Sequence, residues 1–364
     1  MGDGGERRMT TAEDRINYLN IALMIVSCIA AYLVPFPLFL LAYAVLGPAH
    51  YLTEISWIHD RRFFLAGEPS PRTRRLTIAW LALVGVALAV MGYGVVAEEL
   101  LHRAVSPVWE IGLFYLVFVA AALLAFRSKP AVAVGAIVLT GVGAALFSGS
   151  PWYGLIAFLI ITIVHVLLFT GAFILFGALR SRSLSGLWSL LVFTVCTLSF
   201  FLLRPDHGAV GDLVRQSYAP FELLNGQLIG LFGLGSGSAL SAIYESDAGA
   251  VVMRLIAFAY TYHYLNWFTK TSVIRWHEIS KMRAGVIVAL WIGAVALYAE
   301  NYLLGFVVLY ALSVLHVMLE LPLNHRTFAG IGGELARLMN PPVRVPAHTP
   351  PRKAQRRKRA TTRR

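Results

Sequence analysis

The sequence is poor in charged residues and in cysteine. Only 14% of its 364 residues are charged and 58% are hydrophobic, whereas soluble domains are about 25% charged and about 45–50% apolar. So large an apolar fraction cannot be packed into one soluble core, which excludes an ordinary soluble enzyme. With Cys28 and Cys196 as its two cysteines, the chain is not a disulfide scaffold either. The composition therefore predicts a protein with several membrane-spanning helices.

About ten apolar segments are long enough to cross a bilayer, because a spanning helix needs about 20 mostly apolar residues. They cover residues 17–34, 36–57, 76–96, 108–126, 130–148, 152–178, 184–203, 251–270, 284–301 and 303–321. With a cytoplasmic N-terminus, the outer side keeps few of the 31 Lys and Arg residues, namely Arg103, Arg204, Arg215 and Arg254. The positive-inside rule favours this orientation. The sequence thus predicts an all-α polytopic protein of the inner (plasma) membrane, with both termini cytoplasmic.

Three regions follow from the charge distribution. Residues 1–16 form a cytoplasmic N-terminal segment, residues 17–340 form the transmembrane domain, and residues 341–364 form a basic cytoplasmic tail. A dense run of Lys and Arg is typically disordered and attracts anionic lipid headgroups. A charge run alone is not a recognition module, so we expect no specific nucleic-acid partner.

Histidines are concentrated between mid-membrane and the cytoplasmic surface. They are His50, His59, His165, His263, His277, His316 and His325. Two predicted helices carry the same pattern, H-x3-E-x4-H, which includes Glu54 in one and Glu320 in the other. A His and a Glu four residues apart share one helix face. This arrangement suits two metal ligands, or one ligand and the carboxylate that orients it.

The predicted site has a core and an outer tier. The core comprises His50, Glu54, His165, His263, His316 and Glu320. His59, His277 and His325 form the outer tier near the cytoplasmic rim, and we expect Pro322 to end or bend its helix and return His325 to the site. Asn266 and Lys270 share a helix face with His263, and we assign them, with the two glutamates, to catalysis. The competing interpretation is that each histidine only hydrogen-bonds a neighbouring helix or contacts headgroups.

A membrane protein with histidines and carboxylates gathered at its cytoplasmic side resembles the membrane non-haem iron enzymes. These include fatty acid desaturases and hydroxylases and the bacterial retinal-forming carotene oxygenases, although the H-x3-H and H-x2-H-H boxes of the desaturases are absent. The resemblance implies one or two iron ions on His50, His165, His263 and His316, with Glu54 and Glu320 bridging or orienting. It also implies activation of O2, a lipid or isoprenoid substrate at the cytoplasmic leaflet and an electron-donor protein.

Two other functions remain open at this stage. The stretch around Arg275, Trp276 and His277 is similar to the basic-Trp-His stretch of membrane-bound O-acyltransferases, with His316 standing where their buried catalytic His would come. Under that interpretation His316 is a general base and no metal is needed. Paired intramembrane histidines are also typical of haem-binding carriers, and buried His, Glu and Lys together are typical of proton-coupled transporters.

Overall fold

The structure is a computed structural model. It describes residues 4–62, 70–101, 103, 107–127, 129, 131, 133–135, 137–138, 141–142, 160–206, 208–270, 275 and 278–340. The regular elements of this part of the chain are all helical, which confirms the predicted all-α class.

The described residues contain sixteen helical elements. They are α1 (Gly4–Leu33), α2 (Pro35–Leu41), a π-helix (Ala42–Leu46), α3 (Gly47–Asp60), α4 (Pro71–Leu101), α5 (Pro107–Ala125), a second π-helix (Ile160–Phe169), α6 (Thr170–Ser181), α7 (Leu184–Leu202), α8 (Asp212–Tyr218), a 3-10 turn (Ala219–Phe221), α9 (Glu222–Leu231), α10 (Leu240–Tyr244), α11 (Asp247–Thr269), α12 (Lys281–Glu300) and α13 (Tyr302–Met339).

Cap residues explain where several helices begin. The side-chain oxygens of Ser183, Ser246 and Ser280 each accept a hydrogen bond from a backbone N–H in the first turn of α7, α11 and α12, respectively. Asn301 does the same for α13. Each cap satisfies a donor that the helix itself leaves unpaired. Pro35 and Pro71 begin α2 and α4, where the missing N–H of proline has no consequence.

Helix α11 lies at the centre of the molecule. Every residue from 249 to 264 is buried, and α11 packs against α1, α2, α7 and α9. A helix that is buried on all sides belongs in the middle of a bundle. A second apolar core lies between α4, α5 and α13 and includes Trp80, Phe114 and Met318. The two cores adjoin where α3, α11, α13 and the π-helix at 160–169 contact one another.

Peripheral helices turn apolar side chains outward. Helix α12 buries only Ala294, whereas Val286, Leu290 and Ile292 are 53%, 54% and 58% exposed. Water would not favour this much apolar surface, but a bilayer would cover it. Among the described residues, six helical segments are long and apolar enough to cross a membrane, namely Ala12–Leu33, Pro35–Asp60, Pro71–Gly94, Leu184–Leu202, Lys281–Glu300 and Tyr302–Met339. These segments indicate a membrane protein.

Most predicted segments coincide with described helices, but 108–126 and 251–270 are not among the six that are long and apolar enough to cross a membrane. Segment 130–148 and the first part of segment 152–178 lie largely outside the described residues. The tail at 341–364 lies outside them as well. The count of ten spanning helices and the cytoplasmic position of both termini therefore stay predictions.

The prediction that Pro322 ends the last helix is wrong. Helix α13 continues through Pro322 to Met339. A proline removes one helical hydrogen bond, and packing by neighbouring helices offsets that loss in apolar surroundings. Here α3, α5 and α6 pack along α13, and Leu319, Leu321 and Pro322 are buried. The first helix also begins earlier than the predicted segment, at Gly4.

Close packing between α12 and α13 depends on Gly305. A Cβ atom placed there would lie 2.9 Å from the Cβ of Tyr298 and would also contact the Tyr298 backbone. Small residues allow helices to approach this closely. By contrast, a Cβ at Gly285 on α12 would have no atom within 4 Å.

We therefore expect Gly305→Leu to destabilise the protein by about 1–3 kcal/mol, because the added side chain overpacks the helix contact. The matched variant Gly285→Leu should have no such effect. Thermal unfolding of both variants in detergent measures the difference. Equal midpoints for the two variants would contradict the close α12–α13 contact.

Candidate metal centre

Four histidine rings from four separate elements meet in the interior. His50 comes from α3, His165 from the π-helix at 160–169, His263 from α11 and His316 from α13. The ring centroids form a closed circuit, with 4.8 Å between His50 and His263, 5.0 Å between His263 and His165, 5.0 Å between His165 and His316, and 5.2 Å between His316 and His50. The four predicted core histidines are thus neighbours in space.

The ring nitrogens lie at separations typical of ligands on one metal ion. The Nε2 atoms of His50 and His263 are 3.2 Å apart, and those of His316 and His165 are 3.1 Å apart. Nitrogens about 2.1 Å from one ion at tetrahedral or octahedral angles are roughly 3.0–3.4 Å from each other. His50, His263 and His316 offer a set of ring nitrogens that all lie within 4.8 Å of one another. This trio has the spacing of a three-histidine metal site.

Two carboxylates adjoin the histidines. Glu54 Oε2 lies 3.1 Å from His50 Nε2, one turn earlier on α3. Glu320 Oε2 lies 3.3 Å from His165 Nδ1, on a different element. The two carboxyl groups adjoin each other, and Lys270 is the nearby cation whose charge opposes theirs. The site therefore combines imidazole and carboxylate donors with one compensating cation.

The burial of this cluster is nearly complete. His50, His165 and His316 are 1–2% exposed, and His263 is 9% exposed. The Nε2 atoms face one another in two pairs, whereas Nδ1 of His50 makes no hydrogen bond and Nδ1 of His165 lies beside the Glu320 carboxylate. Neutral imidazole is the form that binds metals. Neutral imidazoles whose Nε2 atoms face one another, with two carboxylates beside them, fit a bound metal ion.

Two of the four histidines lie in or near a π-helical segment. The segment Ile160–Phe169 contains His165, and the segment Ala42–Leu46 comes immediately before α3, which carries His50. A π-helical turn inserts an extra residue per turn, changes the direction of the side chains that follow, and often occurs at functional sites. No pattern in the sequence predicts these π-helical segments, although they determine the directions in which the side chains of His50 and His165 point.

Polar and aromatic side chains that the sequence analysis missed support the histidines. The Oγ1 of Thr170 is 2.8 Å from Nδ1 of His263, which leaves Nε2 to face His50. The ring of Tyr51 stacks on His316 with centroids 4.3 Å apart. Its hydroxyl lies 2.5 Å from that of Tyr264. Such contacts fix the orientation of ligand imidazoles.

Only Tyr51 and Tyr264 gave any signal in the sequence, because each directly adjoins a core histidine. Thr170 is separated from its partner His263 by 93 residues, and nothing in the local pattern relates the two.

The two described histidines of the outer tier, His59 and His325, do not join the cluster. The side chain of His59 is 69% exposed and accepts a hydrogen bond from Arg283. His325 is buried against Phe118, with ring centroids 4.4 Å apart. Each follows its core histidine by nine residues, which turns a continuous helix by about half a revolution, so His59 and His325 face away from it. His277 lies outside the described residues.

The two remaining predicted residues lie on or beside α11. Asn266 is buried one turn after His263. Lys270 follows the end of the helix, is half-buried, and places its Nζ 5.4 Å from the ring centroid of Phe173. Lys270 therefore interacts with the two glutamates through its charge. Asn266 has no assigned contact with the site, so its role stays a prediction.

Comparison with known proteins gave no match to any family, curated protein or solved structure. The described part of the chain is all-helical, with helices apolar and long enough to span a membrane around a buried histidine and carboxylate cluster.

We predict that His50→Ala, His263→Ala and His316→Ala each lower the metal content of the purified protein, since each removes one nitrogen of the trio. His325→Ala is the matched control, because this buried histidine lies on the same helix as His316 but on the opposite face. Elemental analysis of protein purified in detergent measures the metal-to-protein ratio. The same ratio in all four variants would contradict the proposed centre.

Proposed function

We propose that this protein is an integral membrane, metal-dependent oxidoreductase, of oxygenase, desaturase or hydroxylase type. Its substrate would be a lipid or isoprenoid drawn from the cytoplasmic leaflet. The observation that carries the proposal is the convergence of four buried histidines and two carboxylates inside a bundle of apolar helices.

The donor set favours non-haem iron. Imidazole binds zinc, copper and iron, and added carboxylates with open positions are typical of non-haem iron sites. His50, His263 and His316 would hold one ion, and His165 with Glu54 and Glu320 supplies donors for a second. Iron bound there would supply activation of O2 for attack on an unreactive C–H or C=C bond.

The surrounding side chains prepare the site for this chemistry. Glu320 would orient His165 through Nδ1, whereas Glu54 lies beside the Nε2 of His50 that faces the site and would join it as a ligand. Lys270 balances part of their negative charge, which would otherwise be costly in an apolar interior. Nε1 of Trp267 donates to the hydroxyl of Thr53 at 2.9 Å, and its ring lies 5.6 Å from that of His50. With Tyr51 and Tyr264, which also pack on the histidines, Trp267 would help to exclude water that competes for reactive species.

The proposed function includes a location in the membrane, a substrate route and an electron donor. Ten spanning helices with both termini in the cytoplasm would place the cluster in the inner half of the plasma membrane. A lipid or isoprenoid would enter laterally from the bilayer, and an electron-donor protein would deliver reducing equivalents from the cytoplasm. The basic tail would hold anionic headgroups near the entrance.

Metal analysis and visible spectroscopy of the purified protein test the proposal together with an oxidation assay. We expect one or two equivalents of iron, no Soret band, and O2-dependent conversion of a lipid or isoprenoid substrate. A Soret band would replace the proposal with a haem carrier. Acyl transfer by metal-free protein, lost in His316→Ala and His277→Ala, would replace it with an O-acyltransferase. Proton-coupled transport without oxidation would also contradict it.

Glu320→Gln tests the role of the carboxylate. Removing the charge beside His165 should lower metal affinity or turnover by about 10–100-fold, which is the usual effect of losing a partner that orients a ligand. Glu334→Gln is the control, because Glu334 is a buried glutamate of the same helix that pairs with Arg182 and Arg337 instead. Metal titration should show the loss in Glu320→Gln only, and equal affinities in the two variants would remove Glu320 from the site.

A further inference from the structure

A second polar feature lies toward the opposite end of α11. A cavity of about 270 Å³ opens between the α1–α2 junction, the segment after α7 and the first turns of α11. Its lining includes Tyr32, Phe36, Val210, Tyr244 and Arg254. Arg254 and His263 are nine residues apart on one helix, which corresponds to about 14 Å along the axis. The cavity is therefore separate from the histidine cluster.

Arg254 is a buried cation with spare hydrogen-bonding capacity. The residue is 2% exposed. Its Nη2 donates to the carbonyl oxygen of Pro205 at 3.0 Å and approaches that of Asp206 at 3.5 Å, but its Nε makes no hydrogen bond. The guanidinium carbon lies 5.3 Å from the centroid of the Tyr32 ring. Because Nε is enclosed, the part of Arg254 that can face the cavity is the Nη side of its guanidinium.

Arg254 forms no ion pair with a carboxylate among the described residues. The acidic group whose charge reaches it is Asp247, two turns earlier on α11. The carboxylate of Asp206 belongs to an exposed residue at the cavity rim. Buried cations are retained when a counter-charge accompanies them. Among the described residues only distant or solvated negative charge is available to Arg254, which leaves a place for an anion from outside the chain.

The residues that line the cavity favour a ligand that has both an anionic group and apolar chains. A guanidinium edge matches the geometry of a phosphate or carboxylate oxyanion. Leu33 and Val34 also line the cavity, yet they are 74% and 49% exposed, so the mouth opens onto apolar surface. An inorganic anion gains nothing from such a rim, whereas a lipid places its acyl chains there. The hydroxyls of a glycerol headgroup would also find an acceptor in Asp206.

We propose that Arg254 and its cavity bind the phosphodiester headgroup of a membrane lipid. The headgroup phosphate contacts the Nη side of the guanidinium between Tyr32 and Tyr244, and the acyl chains leave past Leu33. This site is distinct from the metal centre and does not depend on the proposed oxidation chemistry.

Lipid-dependent stabilisation of the full-length protein in detergent tests this site. The probes are phosphatidylglycerol, diacylglycerol with the same acyl chains, and inorganic phosphate. A ligand that binds the folded state raises the unfolding midpoint in proportion to its affinity and concentration. We expect phosphatidylglycerol to raise the midpoint of the unaltered protein, and diacylglycerol and inorganic phosphate to leave it unchanged.

Three variants identify the residue responsible. Arg254→Gln removes the charge and should reduce the shift produced by phosphatidylglycerol at least threefold. Val210→Phe fills the cavity while retaining Arg254 and should reduce the shift equally. If Arg254→Gln does not fold, the result with Val210→Phe tests the site alone. Arg204→Gln removes an exposed arginine near the same loop and should keep the full shift.

Three outcomes would overturn the proposal. The first is an equal shift in the unaltered protein and in Val210→Phe or Arg254→Gln. The second is an equal shift with diacylglycerol, which would show that the phosphate is not recognised. The third is the full shift with inorganic phosphate alone, which would assign the cavity to a free anion instead of a lipid.

Discussion

Six polar side chains are buried between helices that are otherwise apolar. The need to pair these side chains determines how the bundle is arranged. Buried imidazoles and carboxylates are stable only in contact with one another or with an ion. The contacts join α3, α11, α13 and the π-helix at 160–169, so these four elements must meet at one place. Helix α11 is consequently central and buried on all sides, while α12 and other peripheral helices turn apolar side chains outward.

The sequence predicted the class of fold and the members of the cluster better than their contacts. The spacing of His50 and Glu54, repeated by His316 and Glu320, indicated one polar face on each of two helices, and the structure places these residues together. The repeated spacing did not show that Glu320 contacts His165 instead of His316, its neighbour on the same helix. That contact depends on how the helices are rotated against each other, which no local pattern records.

The errors have physical causes as well. Pro322 was expected to end or bend its helix, but α13 continues through it, with neighbouring helices packed on several sides. With the helix continuous, the nine-residue spacing turns His325 away from His316, and the same spacing separates His59 from His50. The π-helical turn that carries His165 is an adjustment to tertiary packing, since its residues Ile160–Phe169 are as apolar as those of an ordinary spanning helix.

The central claim is that the histidine cluster holds a metal ion, and anomalous diffraction from crystals of the iron-loaded protein locates such an ion directly. The account predicts an anomalous peak at the iron edge about 2.1 Å from ring nitrogens of His50, His263 and His316. A peak at another place in the molecule, or no peak at the cluster in crystals that contain iron, would contradict it.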